Sequence, residues 1–578
     1  VKYKKEEFIE AHVLRELIAY GGNELMNFLR SVGIYRRPIA VQGIRQMAEG
    51  LGISCWQSLL QKGVELSLVE FDQLSERYIV SALVQDILLP VDGDYSMFHR
   101  FAYDYYRELC DGRDNLDARM AEEWIYHALG CGREDTAVLQ GARLVACMHR
   151  RLALQVAFDL GEWILSMKKI KPHTEFDAFL FNEVAGSAFS LGEFRKSIQY
   201  YRDTLAIDCE LYGEEHPETA LDLSNMGLAL VEIKEYKDAI FCFHKALAIY
   251  KKIYGPAHAG VAQVLNNLGS VFFNQGKFQD ALGFFEQALS IDLKVHGDLH
   301  PQYAISLNNV GEALIRLDFH EKAIDYLLSA LSVNRKVYGE EHPIVARDLI
   351  NIGSAYYLLG KFTTAVDYLN QAYVIIRTCH GRYHVSLAVV LNSLGLAMHA
   401  LKNYDKAIEY FEEALSIQHK VYGEEHPLVG VTLNNLGEVW RNKGDLLKAG
   451  DLYNHGLEME IKAYGEKHPD VAILLNSIGL VNYDRGYLSE AMSYFKRSLA
   501  IDKSVYGKEH TSIAGDYYNM AQVYELLRKK EKAKTYFKKA YTMFLKFLPE
   551  GHPSIISAQQ KLREATSASS PEGSMDIL

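Results

Sequence analysis

A histidine returns every 42 residues, at positions 216, 258, 300, 342, 384, 426, 468, 510 and 552, with no insertion or deletion between the first and the last. Glycine keeps the same interval at 213, 255, 297, 339, 381, 423, 465 and 507. So long and regular a period leaves few folds open. Each unit must be one supersecondary element that buries its apolar face only by stacking on the next, and the chain is an array of such units.

One period encodes two helices. Pro427 sits where a first turn begins, and proline is tolerated there because its missing N–H would have no intrahelical partner. Leu433, Leu436 and Trp440 follow at helical spacing, with Gly437 among them. A glycine inside a helix costs about 1 kcal/mol against alanine. Its return at 227, 269, 311, 353, 395 and 479 therefore calls for a close approach by a partner helix. That partner carries alanine at 239, 281, 323, 365, 407, 449, 491 and 533, with an aromatic or leucine four residues on, as in Phe411 and Tyr453.

The pattern Leu-x-x-Leu-Gly-x-x-Tyr, then Ala-x-x-x-Phe/Tyr-x-x-Ala, resembles the tetratricopeptide repeat. Its 42-residue form with a Tyr-Gly-Glu-Glu-His-Pro link is similar to the repeats of kinesin light chains and nephrocystin-3. The resemblance covers residues 173–566 and implies an all-α tetratricopeptide α-solenoid, a right-handed superhelix. The expected layout is nine helix pairs over 173–548, a closing helix over 549–566 and a disordered tail over 567–578 that is rich in Ser, Pro and Gly.

Residues 1–112 lack the period. Helices are expected over Asn23 to Val32, Val41 to Leu51 and Cys55 to Leu60. A hairpin is expected at Asp92-Gly93-Asp94, between Asp86 to Val91 and Tyr95 to Phe98. Three helices and a hairpin describe a small winged-helix domain. The series 29–39 (Leu-Arg-Ser-Val-Gly-Ile-Tyr-Arg-Arg-Pro-Ile) and 95–106 resemble the winged-helix segment that follows the nucleotide-binding domain of STAND ATPases, the NB-ARC and NACHT group. In that family a Met-His-Asp motif ends the segment and its histidine touches the phosphates of ADP. The resemblance makes His99 of Phe98-His99-Arg100 the nucleotide-sensing candidate, with Arg100 departing from the family's aspartate; the bland alternative is a structural hydrogen-bonder. Residues 113–172 read as a helical bridge capping the array, with one helix over Ala118 to Leu129 and an apolar-periodic run from Val138 to Ile164.

Charge and composition narrow the function classes. A net charge of −12 argues against a general nucleic-acid or anionic-membrane binder. The candidate recognition helix Ser54–Leu66 offers only Lys62, beside Glu65, where DNA recognition would need several basic side chains. The basic stretch Arg528–Lys539 reads as a solvated face. Seven scattered cysteines form no C-x-x-C pair, which fits a reducing, cytoplasmic setting. No apolar run reaches membrane-helix length. No G-x-x-x-x-G-K-[ST] occurs, so no cofactor is expected in this chain; ATP or ADP would occupy an ATPase domain upstream of Val1. No enzyme activity is expected of these residues.

No metal site is expected in the histidine ladder. Zinc needs ligand nitrogens about 2 Å away, whereas packed helices sit roughly 8–10 Å apart. Each histidine should instead close its loop or cap the helix that follows.

Recognition is expected on the concave side, lined by the first helix of each pair. Three residues before the small position stands an asparagine ladder, Asn266, Asn308, Asn392, Asn434 and Asn476, whose amides can donate to and accept from a peptide backbone. In the resembling families, asparagines of this helix hold bound peptides in that way. The alternative is that each ties down a neighbouring repeat, a role that suits the second asparagine row better (Asn225, Asn267, Asn309, Asn351, Asn435 and Asn519). Arg316, Arg347 and Arg441 are candidates for carboxylate recognition, and Tyr357 and Tyr483 for amphipathic contact. The function these features point to is the protein- or peptide-sensing half of a STAND-type signalling NTPase in immune or regulatory signalling. Its groove would bind a protein partner and release autoinhibition, with oligomers forming through the upstream domain. The alternatives are a passive adaptor resembling kinesin light chain and a winged-helix transcription regulator.

Overall fold

The 42-residue period becomes a helical hairpin whose first helix is started by a histidine and whose second ends on a glycine. In the computed structural model, which describes residues 15–89, 93–110, 118–167, 174–423, 426–548 and 551–567, every histidine of the ladder accepts a hydrogen bond at Nδ1. The donor is the backbone N–H two residues on, at 3.1–3.3 Å. One of the first-turn donors that a helix cannot satisfy internally is thereby satisfied. From 216 to 510, the ring also stacks on the aromatic four residues before it, with centroids 3.8–4.7 Å apart. The ladder is a row of helix caps. Between ring and cap the chain turns through glycine: Gly423 has φ 85° and ψ 175°, a conformation essentially restricted to glycine.

Among the described residues nine pairs run from Glu175–Ser190 with Phe194–Tyr212, which opens on a Thr174 cap, to Thr511–Leu526 with Lys530–Phe547, and Pro553–Ser567 follows them. The small position admits its partner as the sequence requires. A Cβ on Gly395 would lie 2.7 Å from the Phe411 ring, and one on Gly437 would lie 2.6 Å from the Tyr453 ring. Each of these rings is fully buried. Residues 568–578, most of the expected tail, lie outside the described residues.

The chain divides into two compact units, Val1–Val271 and Phe272–Leu578. The first begins with helix Asn23–Val32, strand β1 (Ile39–Ala40), helices Val41–Gly50 and Trp56–Glu65, and strands β2 (Val69–Asp72) and β3 (Arg77–Val80). The sheet is antiparallel, in the order β1-β3-β2, with Ile39 opposite Tyr78 and Phe71 opposite Tyr78 on the other side.

The hairpin is therefore not the expected one. Ala82–Leu88 and Ser96–Cys110 are helices, while residues 90–92 lie outside the described residues. Asp94 begins the second of these helices by accepting from the Ser96 N–H at 3.0 Å, so a turn signal was in fact a helix start. The real hairpin turns without glycine. Asp72 accepts from the Leu74 N–H at 3.0 Å and from Ser75 Oγ at 2.5 Å, an aspartate-nucleated turn. The apolar run from Val138 to Ile164 is likewise two helices, Glu134–Arg150 and Leu154–Met167, parted where Leu152 takes φ 61°. One core runs through this unit from Leu25 and Phe28, by Trp124 and Val145, to Leu180 and Ala188.

In the second unit, successive first helices lie against one another, as Pro343–Leu358 does with Val385–Ala400, whereas successive second helices share at most passing contacts. The closer spacing of the first helices curves this unit with their exposed faces on the inner side.

Candidate partner-binding face

Helical geometry decides which residues reach that face. At 100° per residue, the positions six and two before and one and five after the small residue fall within roughly 60° of one another. Those three before and four after lie roughly 80° around the helix, towards the adjacent pair. The asparagine ladder and its neighbouring tyrosines and arginine occupy the flank.

Asn308 is buried and donates to Asp348 Oδ1 in the next pair at 2.9 Å and to the Ala304 carbonyl at 3.2 Å. Asp348 receives a second amide, from Asn334, at 2.6 Å. Asn392 donates to Thr432 Oγ1 at 2.8 Å. Asn476 donates to Asp516 at 3.0 Å and accepts from Asn519 at 2.9 Å. Asn434 has Leu474 at the equivalent place and accepts from Ser477 at 3.0 Å. Asn266, in the first unit, is half-buried. For Asn308 the expected peptide contact is corrected, because its side chain is enclosed between pairs. At Asn392, Asn434 and Asn476 the side-chain amides link one pair to the next, which is the structural alternative.

The remaining candidates divide the same way. Arg441 is mostly buried and donates from Nε to Asp484 of the next pair at 2.8 Å, with Glu438 at 3.6 Å. Tyr357 and Tyr483 are half-buried on the flank. Arg316 is exposed, its guanidinium 5.0 Å from the centre of the Phe278 ring. Arg347 is exposed on the inner face. The structure does not gather these residues at one point; it places them one pair after another.

A row missed from sequence occupies the middle of the face. Ile305, Val389, Val431 and Ile473 stand at one position in four pairs and are 39–52% exposed, with Arg347 taking that place in the remaining pair between them. Its signal in the sequence is a β-branched residue six before the small position in these four pairs.

The family description "Tetratricopeptide repeat" matches residues 177–252, 223–294, 260–317, 302–378, 386–459, 431–504 and 488–546, more than half of the chain. The chain belongs to the tetratricopeptide-repeat family. Comparison with curated proteins gives no match. Among solved structures, a putative kinesin light chain of Podosopora anserina with TPR-like repeats is 22% identical, covering 36% of this chain and 98% of its own, at a TM-score of 0.32. A STAND protein with a tetratricopeptide repeat sensor from Pyrococcus horikoshii is 17% identical, covering 79% of this chain and 66% of its own, at 0.45. The quorum sensor NprR of B. thuringiensis, in its apo form, is 16% identical, covering 62% and 98%, at 0.45. At these scores the likenesses decide nothing about function.

Ahead of the tetratricopeptide repeats, His99 is buried, its ring against Gly130 and its Nδ1 2.9 Å from Nδ1 of His127. Burial, with Arg36 nearby, pushes it down to about 4, so it is neutral at pH 7. Buried Glu123 lies 3.7 Å from His127 and receives Arg36 Nε at 3.1 Å and Arg37 Nε at 3.4 Å. The cleft of about 560 Å³ beside this network is lined by Arg37, Arg77, Tyr105, Tyr106 and Glu123 among others, but not by His99. In this conformation His99 is a structural hydrogen-bonder. Among the described residues of the tetratricopeptide-repeat chain, no helix is long and apolar enough to cross a membrane. One ladder histidine, His468, lies with two carboxylates, Glu460 and Asp470, a combination that the spacing of the histidines alone does not reveal.

Proposed function

We propose that this chain is the ligand-sensing part of a STAND-type signalling NTPase, in which the inner face of the repeats binds a protein or peptide and the binding releases an autoinhibited state. The observation that carries the binding role is the row Ile305, Val389, Val431 and Ile473, exposed at one helical position in four of five successive repeats, with Arg347 in the other. Single exposed apolar side chains are ordinary, whereas a row held in register on one face is the kind of surface partners cover. Beside it, the positions of Arg347 and Glu438 vary from repeat to repeat and supply the polar contacts that select among ligands.

The switching role rests on the module before the repeats. Its order of helix, strand, two helices and hairpin, with β1 beside β3, supports a winged-helix assignment. Its core is continuous with the bridge and the first pair, so a change in the module strains the helices behind it. A ligand that binds the open form more tightly shifts the equilibrium towards it. In this scheme ATP or ADP binds a domain outside the chain, oligomers form through that domain in the cytoplasm, and His99 meets nucleotide only once helix Ala118–Gly130 has withdrawn from it.

The test uses a random peptide library displayed against the full chain, with the selected peptides titrated on wild type and on Val431→Glu/Ile473→Glu. Both positions are exposed, so the variant should keep its helicity. The expected loss of affinity is at least about tenfold, or ~1.4 kcal/mol. Equal affinity in the folded variant would remove the face from the proposal.

A further inference from the structure

One slot on the second helix is acidic in four periods: Asp208, Asp292, Glu460 and Asp502. Three of these acids interact with the residue fourteen further on, in the following first helix. Asp208 hydrogen-bonds Asp222, Ser306 donates to Asp292 at 2.6 Å, and Asp502 hydrogen-bonds Asp516. Glu460 has Leu474 at that place. Its side chain is only 1% exposed and its Oε2 has no hydrogen-bond partner. A buried carboxylate left unpaired is strongly unfavourable and calls for a donor or a cation.

With one more methylene than its counterparts, Glu460 reaches the loop that starts the next repeat. One oxygen of Glu460, one ring nitrogen of His468 and one carboxylate oxygen of Asp470 all lie within 4.8 Å of one another. The neighbouring helix makes room for this. Gly430 stands where the other periods have Ala220, Ala262, Ala304, Ala346, Ala388, Ala472 and Ala514, and a Cβ there would lie 2.6 Å from Glu460 Oε1. The missing methyl and the missing partner occur in the same repeat.

We propose that Glu460, His468 and Asp470 bind a divalent transition-metal cation, with water completing the shell on the side where His468 and Asp470 are 32% and 41% exposed. Two carboxylates and one imidazole suit Mn²⁺ or Zn²⁺; Ca²⁺ and Mg²⁺ prefer all-oxygen sites. Bonds of about 2.1 Å at a tetrahedral angle place ligand atoms about 3.4 Å apart, so the two exposed side chains close in on the ion. Two effects oppose binding. The start of helix Pro469–Asp484 carries a partial positive charge of about half a unit, and His468 Nδ1 already accepts the Asp470 N–H at 3.3 Å. The two carboxylates offset the first, and Nδ1, the ring nitrogen 3.4 Å from Asp470 Oδ2, exchanges its long hydrogen bond for the ion. The bound ion clips the end of helix Leu446–Tyr464 to the start of the next repeat. The set Asp208, His216 and Glu218 has the same chemistry in the first unit, but there Asp222 already engages the buried acid.

The test is a titration of the metal-free full chain with Mn²⁺, followed by the electron paramagnetic resonance signal of the free ion. Mn²⁺ is chosen because the stacked pairs His296–His300 and His380–His384 offer only imidazoles, which favour softer metals. Wild type is expected to bind one Mn²⁺ per chain, and Glu460→Gln and Asp470→Asn to weaken it about tenfold or more with unchanged circular dichroism. Leu474→Ser, which gives Glu460 the donor that Asp292 has, is expected to weaken it too and serves if Glu460→Gln does not fold. No stoichiometric binding by wild type at about 1 mM metal, or equal binding by a folded Glu460→Gln or Leu474→Ser, would overturn the site.

Discussion

Every turn between the two helices of a pair contains one residue with positive φ. The position recurs at 192, 234, 276, 318, 360, 402, 444, 486 and 528, with φ from 55° to 98°. Five of these residues are glycine, and the others are Lys234, Asp318, Lys402 and Arg528. A side chain in that region costs roughly 1–2 kcal/mol, which glycine avoids at the expense of greater freedom in the unfolded chain. Lys402→Gly should therefore stabilise the protein by up to about 1 kcal/mol, while Gly360→Ala should destabilise it by a similar amount. Urea unfolding of the full chain measures both, and shifts of the same sign would contradict the assignment. The caps were legible in sequence because one histidine type repeats without exception. This turn was not, because its residue changes from repeat to repeat, glycine in five and lysine, aspartate or arginine in the other four. The asparagine ladder was legible as a pattern, but the direction of its amides was not. Only the partners forty residues on, such as Asp348 and Asp516, show where its amides point.

Whole helices of the repeats were readable from period and caps, and the elements missed are those whose boundaries rest on one side chain or one distant partner. The β2–β3 hairpin turns on Asp72 without a glycine, and the break near Leu152 interrupts an unbroken apolar pattern. Between helices, the pair Asp502 and Asp516 has a consequence for stability. Burial pushes Asp516 up to about 8 and Asp502 up to about 6, against about 3.9 for an aspartate in the unfolded chain. The folded state thus holds more protons than the unfolded state between those values, and stability contributed by the pair falls as pH rises through that window. Asp516→Asn removes this titration and keeps a donor between the helices. The expected outcome is a shallower fall in the urea midpoint from pH 6 to pH 8 than in wild type, and an unchanged slope would contradict it.

For the chain as a whole, periodicity made the repeat array legible before any coordinates, because each unit copies one set of local rules. The proposed binding face was legible only in part. Sequence identified the helix that lines it, but its central residues are defined by exposure, which depends on how neighbouring pairs pack. Ile305, Val389, Val431 and Ile473 could have been core residues on another face, and only packing leaves them open. The first unit's network of buried His99, His127 and Glu123 with exposed Arg36 joins residues up to 91 positions apart, beyond the reach of any local pattern. The account's central claim is that the inner row receives the ligand. It is tested most directly by placing a photo-crosslinking amino acid in the full chain at Val431, at Ile473 or at exposed Asn454 on a second helix, and irradiating each with a library-selected peptide. Crosslinks from 431 and 473 and none from 454 are predicted; crosslinks from 454 alone would contradict the account.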